Sequence, residues 1–304
     1  MGTTSLSLRM RNTFFATLFI ALLAPLAGCS GDEDFRSGHE SWLDSRVQSL
    51  RTNWVSLAGL HWVDGNEVTV GSAEDASVML PEDAPPIVGI LYIDRGGEHR
   101  FVAHDDAEAS IDGQPFSEGR IESDSDGSPT VIESGPYRFS LIERYGRYAI
   151  RLHDTRRQDL ISAEDLPYYP LDEAWRLNGR FEAHPVPALV LVPTYTGDIQ
   201  ELVSPGTIHF QVDGWDHSLD VMTGGESTYF VMFGDLTNRD ETYGAGRYLY
   251  IDHEDAEGNV LIDFNRAYNP PCAFTPYATC PYPPPQNNLA VRIEAGEQRV
   301  PENW

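Results

Sequence analysis

The chain has 304 residues, of which 21 are basic and 47 acidic, giving a formal charge of −26. Every basic residue is arginine. A surface this acidic repels phosphate backbones, which argues against nucleic acid as a partner. Folding survives such self-repulsion best in concentrated salt, where screening acts over only about 3 Å at 1 M. Lysine-free, acid-rich composition therefore fits a salt-adapted cell, or a GC-rich genome that writes Arg for Lys. Either describes habitat, not chemistry.

The first segment reads as a processing signal. Arg9 and Arg11 precede an apolar run from Phe14 to Leu26 that is too short to span a bilayer comfortably. It ends Leu26-Ala-Gly-Cys29, an order that looks like a bacterial lipobox, although an ordinary signal peptide containing a cysteine is the plainer alternative. The expectation is cleavage of residues 1–28, lipidation of Cys29, and a short solvated tether over 29–38. Cleavage removes two arginines and no acid, so the mature chain is more negative still. The protein is expected at the cell envelope, held to the membrane by lipid. Ser30 after the cysteine fits sorting to an outer membrane, facing the periplasm, in a cell with two membranes.

With Cys29 assigned to lipid, Cys272 and Cys280 remain. Outside the cytoplasm this pair is expected to form a disulfide; free or redox-active thiols and a metal site are the alternatives. A thiolate metal site needs closer pairing or more ligands, so no metal is expected. His209, His217 and His253 are scattered over the β pattern and read as surface or core side chains.

The mature part is mainly β with few short helices. Trp42, Leu43, Val47 and Leu50 predict one amphipathic helix over Ser41–Leu50, and a weaker one is expected over Asp172–Leu177. Short strands separated by turn residues are expected at Glu67–Val70, Gly89–Ile93, Tyr137–Glu143, Arg147–Leu152, Leu189–Val192, Thr207–Val212, Thr228–Phe233, Tyr248–Ile251 and Val260–Phe264. They divide into a first β domain over 39–158, a linker over 159–180 that holds Pro167 and Pro170, and a second, sandwich- or barrel-like β domain over 181–304.

Two constellations in the first domain invite a function. Asn66–Ser72, Val78–Pro81, Ile111-Asp-Gly-Gln114 and Tyr137–Glu143 resemble the rhythm of a forkhead-associated β-sandwich. Members bind phosphothreonine through an Arg, a Ser-x-x-His and an Asn. Here Ser72 and Asp112 stand where the Arg and Asn belong, so the resemblance implies the fold and not the phosphopeptide function. Glu122–Glu133 has the acid spacing of a calcium loop, but Pro129 and strand-like flanks favour an exposed hairpin loop.

The second domain carries the strongest candidate. Tyr248–Ile251 and Val260–Phe264 are expected to form a hairpin that brings Arg247 and Asp263 to one end, with Asn265, Tyr268 and Asn269 just beyond. Three motifs run Phe233-Gly-Asp-Leu-Thr237, Thr242-Tyr-Gly-Ala-Gly-Arg-Tyr-Leu249 and Asp263-Phe-Asn-Arg-Ala-Tyr-Asn-Pro-Pro-Cys272; a fourth is the proline-rich stretch Cys280–Leu289. Together with Trp54–Trp62 they resemble the bacterial family of unknown function DUF1684, over about residues 40–300. That resemblance implies no activity.

From the residues, the leading expectation is a site for a small polar or anionic ligand made by Tyr243, Arg247, Asp263, Asn265, Tyr268 and Asn269. A metal-independent hydrolase with Asp263 or Asp235 as base and Arg247 as charge stabiliser is the alternative. A structural envelope component, with Arg247 and Asp263 as a buried pair, is the third reading. No nucleophile elbow, zinc motif, phosphate loop or dinucleotide fingerprint is present, so no cofactor is expected.

Overall fold

The computed structural model describes residues 1–2 and 29–301. The expected signal peptide lies outside the described residues except for its first two. Helix α1 spans Cys29–Ser49 and runs on into a π-helical turn, Leu50–Val55. The stretch read as a tether, 29–38, is thus the first half of this helix. His39, Trp42, Leu43, Arg46, Val47 and Leu50 fall three and four apart and form its inward stripe. The helix does not open the first β domain. Val47, Leu50 and Val55 pack with Ile161, Leu166, Phe274 and Val300, which come from the linker and the second domain.

The first domain is a sandwich of two sheets. Its strands are β1 (Leu57–Trp62), β2 (Glu67–Gly71), β3 (Val78–Met79), β4 (Gly89–Tyr92), β5 (Arg100–Ala103), β6 (Ala109–Ile111), β7 (Gln114–Pro115), β8 (Glu118–Arg120), β9 (Ile132–Ser134), β10 (Tyr137–Arg144) and β11 (Arg147–Asp154). One sheet runs β1-β11-β10-β9-β6-β7 and the other β3-β2-β4-β5-β8. Alternation along β10 and β11 sends Tyr137, Phe139, Leu141, Ile150 and Leu152 into the core between the sheets. The opposite face, with Ile142, Arg144, Ala149 and Arg151, turns outward, yet Ile142 and Ala149 are fully buried. Something must cover that face, and it is the second domain.

The linker holds short 3-10 turns, including Glu173–Trp175 where a helix was expected, and strand begins at Arg176. The second domain comprises β12 (Arg176–Pro193), β13 (Ile199–Val212), β14 (Trp215–Thr223), β15 (Thr228–Phe233), β16 (Arg247–Asp252) and β17 (Asn259–Asp263). They form one sheet in the order β16-β15-β14-β13-β12-β17, which curls until its two edge strands approach one another. The expected β16–β17 hairpin is not a hydrogen-bonded pair: β16 pairs with β15, and β17 pairs with β12. Phe210, Leu219, Val231, Phe233, Leu249, Ile262 and Phe264 fill the inside of the curl. Past β17 the chain has little regular structure and wraps the sheet in short turns.

Candidate ligand-binding site

Arg247, the centre of the predicted site, is fully buried and belongs to the core. Gly246 before it has φ +90°, and a side chain there would strike the Phe233 carbonyl at 2.6 Å, so glycine is required to turn the chain into β16. One guanidinium nitrogen lies 2.7 Å from Asp235 and 2.8 Å from the Ile293 carbonyl. The other donates to the carbonyls of Ala295 and Glu297. The partner is therefore Asp235 and not Asp263. Asp235 also accepts from the backbone and hydroxyl of Thr237, at 2.7 and 2.6 Å. This buried network ties the C-terminal wrap to the sheet and leaves neither charge free to receive a ligand.

The other predicted residues disperse. Asp263 lies between Arg176 and Arg266, at 3.7 and 3.6 Å, and caps the turn at Asn265. Asn265 clamps the backbone of Asp172 on both sides. Asn269 is held by Gln298 and, through its backbone, by Glu297 and Arg46. Tyr243 donates to the carbonyl of Cys272 at 3.3 Å and lines a smaller cleft of about 280 Å³. Of the six, only Tyr268 borders the main cleft.

The cysteines are close but not bonded. Both are free and buried, and the Cys272 backbone N–H donates to Cys280 Sγ at 3.1 Å. The expected disulfide is absent. The contact with Cys280 holds the Cys272 thiol below the usual thiol pKa, whereas burial pushes Cys280 up. In the calcium-like loop, Asp124 is committed to the Glu143 N–H at 2.8 Å and to Arg144 at 2.7 Å. Among the described residues, no three His, Cys, Asp or Glu side chains gather in a way that could hold a metal ion.

A cleft of about 580 Å³ lies elsewhere: it is bounded by α1, the outer face of β10–β11 and the outer face of β15–β16. Strand alternation builds its aromatic wall. Phe230 pairs with Tyr250 and Met232 with Tyr248, which puts all four on the face opposite the core. Phe230 meets Tyr248 edge-on at 4.9 Å, and Tyr250 lies parallel to Tyr268 at 6.3 Å. Trp42 comes from α1 and Trp54 from the π-helical turn. Such turns recur at functional sites because they rotate the following side chains out of helical register.

Three arginines border this cleft, and two of them have carboxylate partners. Arg46 sits 2.7 Å from the fully buried Glu297 and 4.5 Å from the centre of the Tyr268 ring. Burial works against its charge, but Glu297 outweighs burial and holds its pKa above the ordinary value. Glu297 also accepts from Tyr168 at 3.0 Å and from the Asn269 N–H at 2.7 Å. Arg144 is bound to Asp124. Arg151 differs. Among the described residues its guanidinium makes no hydrogen bond or ion pair, its buried Nε is unpartnered, and its closest organised contact is the Trp54 ring at 5.7 Å. Burial, with the charge of Arg144 added, lowers its pKa from the ordinary value. The remaining lining is Ser45, Ser49, Asn53, Gln200, Pro271, Thr279, Cys280 and Pro281. No Asp or Glu among the described residues borders the cleft, in a chain with 47 of them.

Sequence reasoning missed this cleft because its parts come from five distant segments and look like core. The aromatic residues of β15 and β16 read as one buried run, and Arg151 as one arginine among many.

Residues 162–298 match the family described as protein of unknown function, DUF1684. The resemblance read from the motifs is thereby shown for the linker and second domain; Trp54–Trp62 falls outside the matched segment. An uncharacterized protein of Haloarcula marismortui, solved by solution NMR, is 28% identical over 47% of this chain and 80% of its own, with a TM-score of 0.39. No protein with a curated description matches.

Proposed function

We propose that this chain is a lipid-anchored envelope protein that binds a small organic ligand in the cleft between α1 and its two β domains, with the ligand's anionic end at Arg151. One observation carries the reading: a cleft of about 580 Å³, lined among the described residues by six aromatic rings and no carboxylate, with an arginine that has no anionic partner among those residues. The volume is that of ordinary small-molecule sites. An unpartnered guanidinium in a partly dry cleft is costly to keep, and an anion relieves that cost. The site moves from the Arg247 loop because the Arg247 charge is already paired with Asp235, although its Nε, like that of Arg151, has no partner.

Hydrolysis by Asp263 or Asp235 finds no support in the geometry. Asp235 is locked to Arg247, Asp263 lies between two arginines, and among the described residues no Asp, Glu or His lines the cleft to act as a base. The envelope location rests on the Leu26–Cys29 order alone. Among the described residues, no helix is long and apolar enough to cross a membrane.

The test is a thermal-shift screen of a mixed set of small acids, alcohols and amines against the mature protein and its Trp54→Ala variant. Ligands that raise the melting temperature of the first and not the second support the reading; stabilisation equal in both contradicts it. Labelling cells with an alkynyl fatty acid tests the anchor, with Cys29→Ser expected to abolish incorporation.

A further inference from the structure

The charge balance and ring geometry of the cleft narrow the ligand further than its volume does, on the premise that the cleft binds one. Arg46 and Arg144 have their charges met by Glu297 and Asp124, at 2.7 Å each. Among the described residues Arg151 alone has no carboxylate within ion-pair distance, Asp124 acting on it only from farther off, so the cleft is left with one net positive charge. A single charge suits a monoanion. A dianion such as a phosphate monoester would bring in a second negative charge with no partner, within a chain whose net charge is already −26. The guanidinium fork matches a carboxylate, with two parallel N–H···O bonds.

The body of the ligand follows from the walls. Phe230, Tyr248, Tyr250 and Tyr268 form a continuous aromatic surface, with neighbouring centroids 4.9 to 6.3 Å apart. Trp42 and Trp54 stand on the helical side of the cleft. Tyr250 is half exposed, so its ring face is not used up by the fold. Flat rings gain from stacked and edge-to-face aromatic contacts beyond the area they bury, which a puckered saturated ring does not recover. The Tyr248 hydroxyl is engaged by the Pro281 carbonyl at 2.6 Å, so it presents a fixed ring and not a free donor. A sugar would need donors and acceptors spread across this wall. The neutral polar groups lie instead around its border: Ser45, Ser49 and Asn53 on the helical segments, Gln200 at the start of β13 and Thr279 on a loop.

We infer that the ligand is an aromatic monocarboxylate, its carboxylate paired with Arg151 and its ring set against the Phe230–Tyr248–Tyr250–Tyr268 wall. The experiment is isothermal titration of the mature protein with 2-naphthoate, its neutral amide, the saturated decalin-2-carboxylate and 2-naphthyl phosphate. The expected order places 2-naphthoate first, with each of the other three at least tenfold weaker. Arg151→Gln should bind the acid no better than wild type binds the amide, and Arg151→Lys, which keeps the charge and loses the fork, should fall between. If the amide or the phosphate binds as tightly as the acid, or Arg151→Gln is unaffected while remaining folded, the monocarboxylate assignment is overturned. Equal binding of the decalin acid overturns the aromatic part. Should none of the four bind, the assignment fails outright. The thermal-shift screen then decides the broader reading: Trp54-dependent stabilisation by another compound keeps the cleft as a site, and its absence removes both.

Discussion

Replacing Arg247 by alanine separates a structural arginine from a ligand-binding one. The side chain is fully buried beside a fully buried Asp235, and its nitrogens serve three main-chain carbonyls. The substitution strands a carboxylate and those carbonyls in the interior. Removing one partner of such a pair costs about 3–5 kcal/mol. Against a typical total of ~5–15 kcal/mol, that is about a fifth of the stability or more. Urea unfolding followed by circular dichroism should show the midpoint fall sharply. Arg247→Met with Asp235→Leu replaces both charges by apolar groups of comparable length and should regain much of the loss. At temperatures where the single variant is still folded, 2-naphthoate should bind it as it binds the wild type. An Arg247→Ala protein as stable as wild type but unable to bind would refute the reasoning and return the site to the Arg247 loop.

Glu297→Gln leaves Arg46 buried without a counter-charge, so a loss of about 3 kcal/mol, roughly 6–12 °C in melting temperature, is expected, and calorimetry reads it. Acid should destabilise the fold through His153, whose pKa is pushed from 6.5 down to about 4 by burial and then by Arg151 and Arg138. The unfolded chain takes up that proton first, so stability is lost as pH falls from about 6.5 to 4, by up to about 3 kcal/mol; His153→Gln should flatten that part of the pH–stability curve. Cys272 and Cys280 should appear as two free thiols in intact-mass analysis of non-reduced protein and resist iodoacetamide until denaturant is added, since they are 8% and 5% exposed. A mass two hydrogens lower would contradict this.

Much of the fold was legible in the sequence. Tyr137–Glu143, Arg147–Leu152 and Thr228–Phe233 appear as strands because β-branched and aromatic residues alternate between turn residues. The long strands β12 and β13 were seen only in pieces. Pro185 and Pro187 lie where the β12–β13 register shifts between Ala183 and Ala188, a bulge that tolerates a missing donor. Gly206 packs so tightly that a side chain would strike the Glu182 carbonyl at 2.4 Å. Local rules read such residues as breaks, whereas sheet pairing overrides them. The first half of α1 was taken for a tether because Gly31–Asp34 is polar.

The candidate site was less legible, for a physical reason. A short motif can show which residues are chemically able to bind, but not which charges are already satisfied. Arg247 and Asp263 looked available because their partners, Asp235, the Ile293 and Ala295 carbonyls, Arg176 and Arg266, are set by tertiary packing. Arg151 looked ordinary for the converse reason: what distinguishes it is the absence of a neighbour. Of the six residues expected to form a site, Tyr268 is the one that borders the cleft, next to Arg46 and Tyr250.

The most direct measurement is a crystal structure of the mature protein grown with 2-naphthoate. The account predicts the carboxylate within hydrogen-bond distance of the Arg151 guanidinium and the rings against Tyr248, Tyr250 and Tyr268, with the Arg247–Asp235 pair unchanged. Ligand density beside Arg247, or an Arg151 side chain that remains unpaired while the ligand sits elsewhere, would contradict it.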